Sequence, residues 1–335
     1  MKCLFATCIM LLILPAWVGQ RGSYSLALYR PGNRMEGAVI EPQSLMPGSG
    51  WAYIDRTGKV VIKPQFLSAG NFSEGLAHVR RDDRKGKWGF IDKTGKTVIA
   101  LKFDWAGNFS EGLAPVQLGK KWGFINKTGE FVINPEFDLA NEFSEGVAPI
   151  AVGTRWGYID HKGKMIISPR FDYASSFSEG LAEVSRNWGA VDEKWGFIDK
   201  TGKPVMDFKY DQTFRFSEGL APVRTGKKWM YIDKSGKKAF NEMFDYASPF
   251  SEGLADIETG NFLTDKRWGY IDKTGRIVIR PQWTNNGSFS EGLANVETGT
   301  NSWDYIDKTG KRVFSISAQG VGGFSDGLAC VFLLN

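Results

Sequence analysis

Eight acidic residues recur at one position of the 335-residue chain, each directly after Phe-Ser: Glu74, Glu111, Glu145, Glu179, Glu218, Glu252, Glu291 and Asp326. Gathered in a circle, such carboxylates would attract cations. Calcium, however, wants several oxygen ligands close together, and no Asp-x-Asp-x-Asp-Gly loop is present. The expected role is therefore turn chemistry: Ser-Glu-Gly opens a strand, with the serine and carboxylate bonding nearby backbone amides. The Asp55 and Asp92 series, each followed by a short turn ending in glycine, reads the same way. Catalysis finds little else to use. The only histidines, His78 and His161, are expected at the surface. There is no histidine pair, Cys-x-x-Cys, nucleophile elbow or phosphate-binding glycine loop. The sequence thus assigns no catalytic residue, no metal ligand and no cofactor. An acid pair drawn from two different repeats keeps a hydrolytic alternative open.

Recognition has more candidates. The repeated Trp and Tyr could stack on sugars, but their period-two placement favours core packing. Three insertions break the pattern at one structural point. They carry Arg80, Arg81 and Arg84 in the first, Trp188 in the second and Phe262 in the third. Loops on one face are where repeat scaffolds commonly bind, so these five residues form the candidate binding set. Trp188 is the sharpest of them, being a tryptophan outside the repeat register.

The elements that position these residues follow from spacing. Trp51, Trp88, Trp122, Trp156, Trp195, Trp229, Trp268 and Trp303 each open a unit, and a phenylalanine follows each 21 residues later, from Phe72 to Phe324. The gap from each phenylalanine to the next tryptophan varies from 13 to 18 residues, which marks a loop. Within a unit, Trp-Gly-aromatic-Ile-Asp alternates as a strand. A turn such as Asp92-Lys93-Thr94-Gly95 follows, then a second strand such as Val61 to Phe66, a link of about nine residues, and a third strand such as Gly112 to Val116. Pro115, Pro149 and Pro222 lie in third strands, and Pro64, Pro135, Pro169 and Pro281 near the ends of second strands. Proline donates no ladder hydrogen bond, so the tryptophan strand is predicted to be the central one.

One three-stranded sheet is too small to stand alone, so neighbouring units must share their buried faces. The expected fold is all-β: eight small three-stranded antiparallel units. A propeller-like ring is preferred, because the chain ends on Gly327-Leu328-Ala329-Cys330-Val331, the strand that the Trp51 unit lacks. The alternative is an open β-solenoid with a worn last unit.

Composition bounds the partners. A net charge of +5, spread as single residues, offers no nucleic-acid track. Aromatic residues at 14% and 40 glycines suit strands and tight turns. Met1-Lys2 and the apolar run that follows resemble a secretory signal over residues 1–22, before an irregular leader (23–50) and the array (51–335). The mature chain then has no transmembrane segment, and Cys330 is its only cysteine.

The combined phrase resembles the bacterial WG repeat, also called the KWG repeat. It runs Lys-Trp-Gly-Phe-Ile-Asp-Lys-Thr-Gly-Lys, then Val-Ile-x-Pro-x-Phe-Asp-x-Ala, then Phe-Ser-Glu-Gly-Leu-Ala-x-Val, and covers Trp51 to Val331. The resemblance implies a β-repeat scaffold, often exported, with a binding role and no catalytic residues to transfer. The expected function is a secreted or envelope-associated scaffold holding a protein or a cell-surface polysaccharide by loops on one rim. The alternatives are a glycan or peptide hydrolase or lyase on the same platform, and a structural spacer.

Overall fold

The computed structural model describes residues 48–81, 86–186, 193–260 and 266–334. The expected signal and nearly all of the leader lie outside the described residues. Every described element is a strand or a turn.

The repeat folds as a small antiparallel sheet, best seen where its sequence is most regular. Trp105–Ala106, Ala114–Leu118, Lys121–Ile125 and Phe131–Phe137 pair side by side in that order. As the prolines require, the tryptophan strand is interior: Trp122 lies opposite Gln117 on one side and Phe137 on the other. The three expected strands gain a fourth, a two-residue strand inside the link, where Ala106 pairs with Val116. Two residues are too few to show an alternating pattern, and so the strand left no sequence signal.

Eight such blades follow one another, and we number them in chain order: 66–103, 105–137, 139–171, 173–210, 212–244, 246–283, 285–317, and a last one built from both ends of the described chain. In blade 8, Ala329–Leu333 pairs with Gly50–Ile54, from Gly50 opposite Leu333 to Ile54 opposite Ala329. Its outer strand, Val60–Ala69, continues past Phe66 into blade 1, where Ala69 pairs with Val79. The array therefore closes as a propeller-like ring, with the C-terminal strand completing the sheet of Trp51.

Each junction between blades holds one apolar cluster. Leu76, Trp88, Phe90 and Phe103 of blade 1 pack against Phe109, Ala114, Val116 and Ile125 of blade 2, and the same arrangement recurs to the junction of blades 8 and 1. The alternation of the tryptophan strand explains this: its aromatics face the next blade and its isoleucine the previous one, so both faces are dry.

The glycine after tryptophan answers to the outer strand. Trp122 pairs with Phe137 but Phe124 with Ile133, so the outer strand carries a bulge. That bulge presses backbone onto the glycine: a Cβ on Gly123 would sit 2.5 Å from the Ile133 carbonyl oxygen. Where glycine is missing, the outer strand usually changes. Opposite Met230 it is reduced to single bridges at Lys238 and Phe244. Opposite Asp304 the bulge is gone, and Ser315 pairs with Asp304 and donates its hydroxyl to that carboxylate at 2.6 Å. Blade 8 alone keeps the bulge over an alanine, Ala52.

Candidate functional site

The strand directions give the ring two unlike rims. One carries the Phe-Ser-Glu-Gly and Asp-Lys-Thr-Gly turns; the other carries the variable loops and the crossings from blade to blade.

On the first rim, the expected local turn chemistry of Ser-Glu-Gly is corrected. Each serine hydroxyl donates to a phenylalanine carbonyl of the next blade at 2.6–2.7 Å, from Ser73 to Phe109 round to Ser325 to Phe72. Each carboxylate accepts the glycine N–H of the next blade's turn, from Glu74 and Gly112 round to Asp326 and Gly75. Lysines of the next blade, such as Lys200 beside Glu145 at 3.2 Å, complete the bridge. Partial burial pushes the Glu218 carboxyl up, but Lys273 and the Gly253 amide outweigh it and hold it below the usual range. These acids are therefore committed to holding blades together. His161, expected simply at the surface, substitutes for lysine in this bridge: it lies 3.0 Å from Glu111 and stacks on Phe143. The Asp92 series does cap its own turns, Asp92 accepting from Thr94.

The opposite rim varies. Arg80 and Arg81 end the strand Leu76–Arg81, and their guanidinium groups lie over Trp88 and Phe66, 5.7 and 5.6 Å from the ring centres. Arg84, Trp188 and Phe262 lie outside the described residues. The strands flanking their loops all end on this rim. Sequence reasoning missed three aromatics here: Trp105, Tyr173 and Tyr246 each begin a short strand, in blades 2, 4 and 6. Trp105 is 39% exposed and packs on Trp88 at 5.2 Å. Tyr173 lies between Trp156 and Trp195, and Tyr246 between Trp229 and Trp268, at 5.2–5.7 Å. Trp105 satisfies the same criterion that singled out Trp188, a tryptophan outside the register. The same rim carries five ion pairs between the residue before a tryptophan and the aspartate after an outer strand, Lys87–Asp104, Lys121–Asp138, Arg155–Asp172, Lys194–Asp211 and Lys228–Asp245, and a sixth, Lys266–Glu258, beside Tyr246.

The hub lies where the short strands meet, because equivalent residues of radiating blades can touch only near the axis. Asn108 N–H reaches Glu142 of the next blade at 3.3 Å, and Ser176 of the blade after that donates to the Glu142 carbonyl at 3.1 Å. Beside these lie the third-strand positions where proline gives way to polar groups. Asp256 accepts from Ser248 and from Ser288 of the next blade, at 2.6 and 2.7 Å. The Cys330 thiol faces Asn71 across the closing junction at 3.3 Å, and burial pushes it up to about 12. Glu183, only 6% exposed, has its carboxyl pushed up to about 8 by burial, which Arg215 of the next blade only partly opposes. Its Oε2 has no hydrogen-bond partner among the described residues. His78 also corrects a surface expectation. Its ring is wedged against Trp88 and Phe90, and burial lowers its pKa to about 4 despite a bond with Asn108.

A family model described as "WG containing repeat" matches residues 51–84, 88–122, 122–153, 156–187, 195–229, 229–261 and 268–299. Among curated proteins no match was found. Of the solved structures, the computationally designed Ika8 protein is similar at 12% identity and TM-score 0.52, over 81% of this chain and 96% of its own. A eukaryotic initiation factor is similar at 14% identity and TM-score 0.51, over 82% and 85%. Apo AztD from Citrobacter koseri is similar at 12% identity and TM-score 0.50, over 85% and 98%. At these identities the likeness is one of fold.

Proposed function

The chain belongs to the family of WG-containing repeats, and from that premise we propose that it is an exported, non-enzymatic scaffold that holds a macromolecular ligand on the variable-loop rim. One observation carries this reading: the two rims differ in kind. Eight copies of one serine-and-carboxylate bridge occupy the turn rim, where the recurring acids are taken up by the neighbouring blade or by their own turns. Segment length changes from blade to blade on the loop rim, which also bears the exposed face of Trp105. Export follows from residues 1–22, and the ligand is a protein or polysaccharide of the cell envelope.

The test is capture from envelope and medium fractions by the mature protein, compared with a variant whose loops 82–85, 187–192 and 261–265 are replaced by Gly-Ser. Capture should be lost in the variant, and in W188A/F262A, with the melting temperature unchanged. Capture that survives loop replacement would remove the reading.

A second reading, a hydrolase or lyase, is favoured by Glu183, a carboxyl held protonated near neutrality beside an arginine. It requires a turnover of glycan or peptide that E183Q abolishes.

A further inference from the structure

Resting on the scaffold reading above, we propose that the loop rim holds an acidic polysaccharide, one whose sugar units carry carboxylates, along its unpaired basic residues. Arg80 and Arg81 end one third strand and Arg186 another, Arg224 is next to last in a further one, and Lys120 and Lys227 stand at the tips of two-residue hairpin turns. All six therefore reach the loop rim, and none forms an ion pair with a carboxylate among the described residues. The rim aspartates are otherwise committed. Asp104 accepts from Lys87 through one oxygen and from the Gly119 N–H through the other. Asp138 holds Lys121 and Gly153, and Asp211 holds Lys194 and Gly226, in the same way. Lys194 and the Gly226 amide keep the Asp211 carboxyl below the usual range, and Arg224 adds only a lesser contribution from further off. Those acids fasten the hairpin tips, so the field that leaves the rim over blades 1 to 5 is positive.

The arginines are also held in place. Arg80 lies over Trp88, Arg81 over Phe66 and Arg186 over Phe208, the last 4.1 Å from the ring centre. A guanidinium stacked on a ring keeps its N–H edge for a ligand, and that planar edge suits the two oxygens of a carboxylate. Beside Arg80, Trp88 also packs on Trp105, whose indole is 39% exposed. An aromatic face next to a guanidinium matches a uronate ring, which has a C–H face and a carboxylate on its edge. The unpaired charges come one or two to a blade, with the rim ion pairs between them. Duplex nucleic acid, at one charge per about 1.7 Å of axis, calls for a denser and unbroken track. A folded acidic protein calls for an apolar centre to its contact, whereas the apolar side chains exposed here, Trp105, Leu118 and Val152, stand on three separate strands. A chain with one carboxylate per sugar meets both conditions.

The experiment is affinity electrophoresis of the mature protein in gels containing polygalacturonate, alginate or hyaluronan, each measured against a polymer-free gel, with dextran as the neutral control. The expected result is retardation by at least one uronate polymer and not by dextran, weakened at least tenfold at about 0.3 M salt, where fields reach only about 6 Å. The triple variant K120Q/R186Q/K227Q alters exposed side chains only and should weaken retardation at least tenfold. K96Q/K203Q/K237Q removes the same charge from exposed residues of the turn rim and should leave retardation unchanged. Retardation by dextran as strong as by the uronates, retardation unchanged in K120Q/R186Q/K227Q, or equal loss in the two triple variants would overturn the proposal. So would displacement of the uronate polymer by poly-glutamate or duplex DNA at equal charge, or no retardation by any uronate polymer. In that last case, loop-dependent capture of an envelope protein would leave the scaffold reading standing and make the ligand a protein. Failure of both experiments removes both.

Discussion

At the scale of residues, the glutamates explain their own oddity. Glu74 and its equivalents have φ of 52–56°, a left-handed conformation that costs a side chain roughly 1–2 kcal/mol. With Gly75 also at positive φ, Glu-Gly forms a two-residue hairpin turn of the type usually filled by Asn-Gly. Asparagine would relax the turn but brings no negative charge to the next blade's lysine; the carboxylate's bonds to a neighbouring amide and lysine offset the strain. We therefore expect Glu145→Ala, which keeps the strain and loses the bridge, to cost about 2–3 kcal/mol in denaturant unfolding. Glu145→Gly, which loses the bridge but relieves the strain, should cost about 1 kcal/mol less. An equal loss would place no strain at the site. Glu183 and His78 set a pH dependence. His78, depressed to about 4, adds stability as pH rises toward its unfolded value. Glu183, raised to about 8, contributes stability that is full below its unfolded value and lost as pH rises through about 8. The two slopes oppose each other in mildly acidic solution. From about pH 6.5 to 8 only the Glu183 slope remains, so stability should fall by about 2 kcal/mol over that window. E183Q should flatten it, which urea titrations at fixed pH can check. Neither residue was legible in sequence, since a lone histidine or glutamate in a strand says nothing of the neighbouring blade that buries it.

At the scale of elements, the tryptophan strand was the most legible because packing and hydrogen bonding both restrict it. Prolines marked its neighbours as edges, and glycine marked the place where the outer strand's bulge comes close. Gly123→Ala should therefore cost about 2–4 kcal/mol by forcing backbone aside. Met230→Ala, opposite an outer strand already reduced to bridges, forces no backbone aside and should lose only its partly buried packing, about 1 kcal/mol. Differential scanning calorimetry distinguishes the two. The bulge also protects. Outer strands leave residues such as Val132 48% exposed on an unpaired edge, and bulges with proline deny that edge to a second chain. Blade 7 lacks the bulge opposite Asp304 and carries Ile316 where blades 2, 3, 6 and 8 have proline. Proline placed at Ile316 should reduce any self-association seen by light scattering at high concentration. The short inner strand stayed invisible to sequence, since two residues carry no period, and with it went the aromatics that begin it.

At the scale of the whole molecule, ring closure was legible as arithmetic: one strand missing at the start and one spare at the end. What could not be read was the order of the blades, since eight similar units offer similar faces. The hub supplies that information. Asn108 with Glu142, Glu183 with Arg215, Asp256 with Ser288 and Cys330 with Asn71 are pairs that only one junction can make. Closure sets a size: a compact particle of this length has a radius of gyration of about 20 Å, and an open array would exceed it clearly in solution scattering. Truncation after Asp326 removes the strand Ala329–Leu333 that pairs with Gly50–Ile54. It should lower stability by more than about 3 kcal/mol and broaden the unfolding transition, as the uncovered sheet edge and half-empty junction come apart first.

The closing blade also imposes a timetable. The tryptophan strand of blade 8, Gly50–Ile54, is the first of the described strands to be synthesised, and its partner Ala329–Leu333 is the last. Every intermediate blade can assemble as the chain emerges, yet the circle stays open until Ala329–Leu333 has been made. Under the export proposed above, the ring would lock only once that last strand had reached the far side of the membrane.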